Sequence, residues 1–409
     1  MSCHRRTLAA FSILLTLSST SCGSSPVEPA LLDELPRALT GPELEVIGAS
    51  NAFAFRLLEE VGKDKAPAEN VFLSPLSVSM ALGMAANGAA GETLDGMKRA
   101  LGVEHLSRDE MNQAYRGLLD LLPPLDPTVD LGIANSAWAR SGIPFLPSFM
   151  DRVRDYFDAE VQELDFADPG AKDVINAWVF EKTGGRIEEI VAQIEPEHIL
   201  FLINATYFEG SWRTQFDEAD TRAGAFQLEG GPTVSVTMMS AEKLPGSFYF
   251  GGDVAVADLP YGAGAFSMTL VVPTQGSLSE LMGTLTAERW ARWMAGLRAD
   301  TVPVRLPRFE MELDEQLNDP LSRMGMAVAF TDQADFADLT PLQALITKVR
   351  HKTFLSVDEK GTVAAAATSV EIGLTSVPLT LAADRPFIVA IRERLSGTLL
   401  FLGTVYDPR

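Results

Sequence analysis

The chain has 409 residues, of which 46% are apolar, and this is enough to bury a large core. By length alone, two or three domains are expected. The formal net charge of -22 argues against nucleic acid and anionic membrane surfaces as partners, because both would repel the protein.

The N-terminus has the pattern of an export signal. Arg5 and Arg6 precede an apolar run, residues 8–17, that is too short to span a bilayer. Small residues then lead to Cys22, so we expect residues 1–21 to be removed as a signal peptide. Cys22 would then be the only cysteine of the mature chain, which excludes a disulfide framework.

A cysteine at the cleavage point of a signal is where bacterial lipoproteins carry their lipid, because the thiol forms a thioether with diacylglycerol. We therefore predict that Cys22 is lipidated, although Ser19 stands where leucine is usual. The alternative is ordinary cleavage nearby, which leaves the thiol unmodified. Residues 22–48 are rich in proline, glutamate and leucine and are expected to form a flexible tether. The protein is thus predicted to be exported, as a cell-envelope lipoprotein or a secreted protein, with its folded domain at residues 49–409.

The folded part is expected to begin near Ser50, where Ser50 and Asn51 are suitable caps for an amphipathic helix. Residues 70–77 then predict a strand, a capping serine and a proline at the first helical position. The helix that follows is small and apolar on every side, so we expect it to be buried.

A strand is predicted at residues 131–138 and a short helix at residues 147–157. Residues 200–208 form a nearly continuous apolar run, as expected of a strand covered on both faces. Asn204 interrupts this run, and a buried amide must find hydrogen-bond partners. Later strands are predicted at residues 254–261, 266–273 and 302–309.

The sequence contains no catalytic or metal-binding motif that we recognise. The four histidines (His4, His105, His198 and His351) lack the spacing of a zinc-binding helix. No phosphate-binding glycine loop or nucleophile elbow is present, and no pair stands out among the 55 acidic residues. We therefore expect neither an enzyme nor a metal or cofactor; an exported hydrolase is the alternative from another functional class.

The most informative stretch runs from residue 358 to residue 386. From Thr362 onward, every second residue belongs to a face that is small at first and then increasingly apolar, while the other face is more polar. The first face consists of Thr362, Ala364, Ala366, Thr368, Val370, Ile372 and Leu374. No proline falls between Gly361 and Val377, so the segment can pair along a ladder. Four consecutive alanines, however, favour helix or mobility over sheet, and an alanine-rich surface loop is the alternative.

This stretch resembles the hinge of the serpins, in which Glu-x-Gly-Thr is followed by small residues. The corresponding hinge residues are Glu359, Gly361, Thr362, Val363, Ala364, Ala365, Ala366 and Ala367. Val363 departs from the family pattern, where glutamate is common. Residues 385–387 and 397–403 resemble the C-terminal signature of the family, and the resemblance extends over about residues 50–408. It implies one large domain.

The resemblance implies an α+β fold with a large central, mostly antiparallel sheet, further smaller sheets, eight or nine helices and an exposed reactive-centre loop. It places the bond that a protease cuts between Thr375 and Ser376, with cleavage after Leu374 as the alternative. After cleavage, the segment from Thr362 onward is expected to enter the central sheet as a new strand, with Thr362 facing inward and Val363 outward. Trp212 is expected at the breach, the top of the central sheet, where the loop first enters. A polar cluster called the shutter is expected to latch the sheet, with His351 as a partner of Asn204; its members are Ser74, Ser77, Asn204 and His351.

The family implies a monomeric suicide inhibitor that forms a covalent acyl complex with a serine protease. A small residue such as Thr375 suits elastase-like proteases, whereas Leu374 at the cut would suit chymotrypsin- or subtilisin-like enzymes, and papain-like cysteine proteases are a further alternative. A non-inhibitory serpin with a binding or chaperone role is the alternative within the fold. Its hinge usually carries proline or bulky or charged residues, which this chain lacks. Membrane contact is expected only through a lipid on Cys22.

Overall fold

A computed structural model describes residues 31–362 and 379–409. The predicted signal peptide, Cys22 and the cleavage residues Leu374, Thr375 and Ser376 lie outside the described residues, as do the hinge residues 363–367. Within the described ranges, no helix is both long and apolar enough to cross a membrane. In the same ranges, no group of histidine, cysteine, aspartate or glutamate side chains has a geometry that would hold a metal ion.

The first helix begins earlier than the sequence predicted. Helix α1 spans Gly41–Gly62, and Ser50 lies buried inside it, so the predicted start at Ser50 is wrong. The helix starts at a capping box, in which the Thr40 side chain accepts from the Glu43 N–H and the Glu43 carboxylate accepts from the Thr40 N–H. The last part of the predicted tether, residues 41–48, is therefore helical. Residues before the cap also contact the core through Leu32, Leu35 and Leu39.

The other predicted helices are confirmed. Ser74 caps a buried helix that has Pro75 at its first position, and the helix predicted at residues 147–157 has those bounds. The described residues contain nine α-helices: α1 Gly41–Gly62, α2 Pro75–Ala86, α3 Gly91–Leu101, α4 Arg108–Leu121, α5 Pro147–Phe157, α6 Ala171–Lys182, α7 Leu278–Met282, α8 Ala287–Gly296 and α9 Asn318–Leu321.

The strands follow the predicted positions with small differences at their ends. In chain order, the described strands are β1 Val71–Leu73, β2 Val129–Arg140, β3 Glu160–Leu164, β4 Leu200–Ser211, β5 Arg222–Gln227, β6 Thr233–Phe250, β7 Val254–Pro260, β8 Phe266–Pro273, β9 Arg298–Pro307, β10 Phe309–Gln316, β11 Arg350–Val357, β12 Gly361–Thr362, β13 Leu381–Ala382, β14 Phe387–Glu393 and β15 Leu399–Val405. Strand β4 is only half-buried at most positions, so the expected cover on both faces is partial.

The largest sheet has nine strands, in the order β1-β15-β14-β8-β7-β6-β9-β13, with β5 paired to β6. Its pairs are antiparallel except for the short parallel pair of β13 with β9. Strands β14 and β15 are buried at every position. Together with α1 and α2, these strands enclose the main hydrophobic core, and the second group of strands packs against the same core.

The second group of strands is divided into two hydrogen-bonded pieces. One piece has the order β12-β4-β2-β3, and the other is the antiparallel pair β10-β11. Among the residues that the structure describes, no ladder joins β4 to β11. The strands and helices agree with the α+β fold expected from the sequence. We call the second group of strands the central sheet; its division into two pieces was not predicted.

Candidate functional site

A channel separates the two pieces of the central sheet. It contains a cavity of about 310 Å³ between β4 and β11, with α2 beneath it. Its lining is largely aliphatic and includes Val78, Ala81, Leu82, Leu202, Ile203 and Ala205. A smaller cavity continues it upward between residues 206–208 of β4 and residues 354–356 of β11, and reaches Thr362. The channel therefore runs along the sheet to the hinge.

Strands β4 and β11, which form the two edges of the channel, run in the same direction. Strand β12 is antiparallel to β4, and it follows β11 through a tight turn at residues 358–361 that makes it antiparallel to β11 as well. A strand that continues β12 into the channel would thus be antiparallel to both neighbours. Antiparallel pairing is the slightly more stable arrangement per residue.

The hinge glycine is required by close backbone packing. Gly361 has a φ of +143° and lies opposite Ser211 in the ladder. A Cβ atom at this position would lie 2.2 Å from the carbonyl oxygen of Gly210 and 2.7 Å from the Trp212 nitrogen. Only glycine allows β12 to come this close to β4.

Thr362 already lies inside the sheet. It pairs with Gly210 of β4, its side chain is buried, and its Oγ1 is 2.9 Å from the hydroxyl of Tyr261. Burial raises the pKa of Tyr261, so this hydroxyl stays protonated as a hydrogen-bond partner. The inward orientation predicted for Thr362 is confirmed. The expectation that Thr362 enters the sheet only after cleavage is wrong, because its ladder bonds and its contact with Tyr261 are already formed.

Trp212 lies beside the hinge, at the top of the channel. Its indole N–H donates to the carbonyl of Asp358 at 2.9 Å, and its backbone N–H donates to the carbonyl of Lys360 at 2.8 Å. The ring stacks on Tyr261, with 4.6 Å between the ring centroids. Trp212 and Tyr261 thus form the support on which the hinge rests.

Glu359 is held by two residues that the sequence analysis did not identify. Its carboxylate is buried, forms an ion pair with Arg308 at 2.6 Å and accepts from the Thr221 hydroxyl. Burial acts to raise the pKa of Glu359, but the hydrogen bonds from Arg308 and Thr221 outweigh it and lower the pKa. The hinge is therefore anchored by a charged group just before Gly361.

One half of the predicted shutter is assembled on the β11 side of the channel. The backbone N–H of Ser74 donates to Nε2 of His351 at 2.9 Å, and the Ser74 hydroxyl donates to the carbonyl of Leu400 at 2.9 Å. His351 is buried, and burial lowers its pKa to about 4, so the ring is neutral and accepts a hydrogen bond. Ser74 and His351 fasten β11 to the start of α2.

The predicted partnership of Asn204 with His351 is wrong. The Asn204 side chain donates to Oδ1 of Asn135 at 2.8 Å and accepts from the Thr206 hydroxyl at 2.6 Å. Only the main-chain carbonyl of Asn204 reaches the expected cluster, accepting from the Ser77 hydroxyl at 3.3 Å. The reason is that Asn135 stands directly opposite Asn204 in the β2–β4 ladder, whereas the channel separates β4 from β11.

The buried histidine predicts a pH dependence of stability. Because the pKa of His351 is lowered from 6.5 to about 4, the unfolded chain binds a proton that the folded protein does not. His351 should leave the free energy of unfolding at its highest value above pH 6.5. It should lower this free energy by up to about 3 kcal/mol as the pH drops to 4. Urea unfolding of the wild type and of His351→Gln, which keeps an acceptor for Ser74, measures this. The same pH slope in both proteins would contradict it.

In the part of the chain that the structure describes, the fold leaves a channel between β4 and β11 in which neither strand edge is paired with the other. The family model described as serpin (serine protease inhibitor) matches residues 48–408, and the chain belongs to this family. It is 34% identical to an uncharacterized serpin-like protein of Thermococcus kodakarensis, over 90% of this chain and 87% of the relative. It is also 34% identical to a leukocyte elastase inhibitor of Bos taurus, over 84% of this chain and 94% of the relative. The crystal structure of the thermophilic serpin tengpin in the native state superposes with a TM-score of 0.80 at 31% identity, over 93% of this chain and 97% of that one.

Proposed function

We propose that the chain is a suicide inhibitor of serine proteases. A target protease cuts the bond between Thr375 and Ser376, and the segment that follows Thr362 then inserts between β4 and β11. One observation carries the proposal: β12 is already paired with β4 at the mouth of an apolar channel, and the two edges of that channel do not pair with each other. Homologues named as protease inhibitors support it.

Whether the protease is inhibited depends on the relative rates of two processes, loop insertion and hydrolysis of the acyl-enzyme. The protease nucleophile attacks the carbonyl of Thr375, an acyl-enzyme ester forms, and the amine of Ser376 leaves with a proton. Water can then hydrolyse the ester and release an active protease. Insertion of the loop, which carries the ester with it, must be faster than this hydrolysis if the protease is to be trapped.

The free energy that drives insertion comes from new backbone hydrogen bonds between the inserted strand and its neighbours β4 and β11. Each backbone hydrogen bond contributes a net ~0.5–1.5 kcal/mol, so a strand that continues β12 from Val363 to Thr375 and pairs on both sides gains on the order of 10–20 kcal/mol. The aliphatic lining of the channel suits the small and apolar residues on the inward face of this strand. This gain is large enough to displace and distort a protease bound through the ester.

The target class follows from the residue at the cut. Thr375 is small and fits the shallow primary pocket of elastase-like proteases, and a relative of this chain is named an elastase inhibitor. The experiment is to incubate the protein with an elastase-like protease and look for a complex that survives boiling in detergent. We expect such a complex, together with a released C-terminal fragment that mass spectrometry shows to begin at Ser376.

Two other outcomes are informative. A fragment that begins at Thr375 places the cut after Leu374 and moves the target to chymotrypsin- or subtilisin-like enzymes, while the inhibitory function stands. A cleaved chain without any covalent complex, across serine and papain-like cysteine proteases, would contradict inhibition and favour a non-inhibitory binding role.

A further inference from the structure

Two separate polar networks flank the channel. On the β11 side, Ser74 and His351 hold the strand to α2. On the β4 side, a second network is centred on Asn135, which the resemblance did not point to. The networks approach each other through one weak contact, from the Ser77 hydroxyl to the main-chain carbonyl of Asn204. Strand β4 is therefore held by its ladder with β2 and by this second network, and among the described residues only the weak Ser77 contact joins it to the first network.

Asn135 uses both ends of its amide. It is 3% exposed; its Nδ2 donates to the carbonyl of Phe157 at 2.7 Å, and its Oδ1 accepts from Asn204 at 2.8 Å. Phe157 is the last residue of α5, where carbonyls have no partner within the helix. Asn135 therefore ties β2 to the end of α5 and orients the side chain opposite it on β4.

Asn204 belongs to the edge on which an inserted strand has to pair. It lines the channel, and its amide nitrogen has a single other acceptor within the described residues, the Met80 sulfur at 3.7 Å. If the Asn135 amide is lost, Asn204 keeps only this weak acceptor and β2 loses its link to α5. The β2–β4 ladder remains, but the two strands can then shift together relative to α5 and β11, which changes the width of the channel.

We propose that Asn135 is a positioning residue for loop insertion: it holds β4 at the place and in the orientation in which the incoming strand forms its ladder. This inference rests on the proposed function and adds to it a residue that contacts neither the protease nor the inserting segment. It acts through Asn204 and through the end of α5.

The test compares Asn135→Ala with a matched control. Asn112→Ala removes another buried amide, which exchanges two 2.8 Å hydrogen bonds with Asn87 between α2 and α4, away from the channel. Both variants are expected to lower the melting temperature of the intact protein. The distinguishing readout is the number of inhibitor molecules cleaved for each elastase-like protease molecule trapped. Each trapped protease uses one cleaved inhibitor, so the excess of this ratio over one measures hydrolysis relative to insertion. We expect that excess to rise about tenfold for Asn135→Ala, as an insertion barrier higher by about 1.4 kcal/mol would produce, and to stay at the wild-type value for Asn112→Ala.

A second readout does not depend on trapping. The loop is cut by a broad-specificity protease, and the rise in melting temperature on cleavage is measured for all three proteins. Asn135→Ala should recover less of the wild-type rise than Asn112→Ala does. Equal behaviour of the two variants in both readouts would overturn the proposal. If the wild type neither traps protease nor gains stability on cleavage, the proposed function fails instead. Should Asn135→Ala not fold, Asn135→Ser, which also lacks the amide, replaces it under the same criteria.

Discussion

A Thr362→Arg protein is expected to be cut by the target protease and to release it active, with almost no covalent complex. The Thr362 side chain lies in a buried site between the ring of Tyr261 and β4. An arginine there would be an unpaired buried cation, which costs several kcal/mol. The hinge should therefore leave the sheet, and the register from which insertion proceeds is lost.

The size of the effect follows from the race between insertion and hydrolysis. The free energy gained by complete insertion could offset a cost of several kcal/mol. The first steps of insertion cannot offset it, because few ladder hydrogen bonds have formed when the hinge region pairs. Each 1.4 kcal/mol added to the insertion barrier slows insertion about tenfold. A penalty of about 3 kcal/mol would then turn an efficient inhibitor into a substrate.

The matched control is Val363→Arg. The two-residue alternation that places Thr362 inward predicts that Val363 points outward, so an arginine there stays in water and trapping should be nearly normal. Each variant is incubated with an elastase-like protease and examined for complex after boiling in detergent. A Thr362→Arg protein that traps as well as the wild type, or a Val363→Arg protein that fails equally, would contradict the assignment of faces.

Local signals allowed most elements to be predicted from the sequence. Helix α5 has its predicted bounds because Pro147 pre-sets the first turn, and α2 follows the capping Ser74 and Pro75. The start of α1 was not predicted because the proline and glutamate content of the residues before Ser50 favours a flexible tether. The capping box of Thr40 and Glu43 was present in the sequence and was the better signal.

Contacts between distant segments were harder to predict. The pairing of Asn204 with Asn135 depends on the register of β2 against β4, which the hydrophobic pattern of either strand alone does not specify. Arg308 and Thr221 reach Glu359 from 51 and 138 residues away, and no local pattern marks them. The family resemblance indicated the hinge and the breach, but it did not indicate that Thr362 already pairs with β4.

Cleavage of the loop is expected to raise the melting temperature by roughly 10–25 °C. Cutting a chain usually loosens a folded protein, because the unfolded state gains freedom and contacts near the cut are lost. Here the cut frees the segment after Thr362 to pair with β4 and β11, which adds on the order of 10 kcal/mol or more to the folded state. With an unfolding entropy of ~2.1 cal/mol/K per residue, a gain of ~10–20 kcal/mol in a domain of this size corresponds to a shift of roughly 10–25 °C.

The most direct measurement is therefore thermal unfolding of the intact protein and of the same protein cut once between residues 374 and 376. Mass spectrometry confirms the single cut, and size exclusion confirms that both fragments stay together. The account predicts a melting temperature that is higher by roughly 10 °C or more in the cleaved protein. An equal or lower melting temperature after cleavage would contradict loop insertion as the central event.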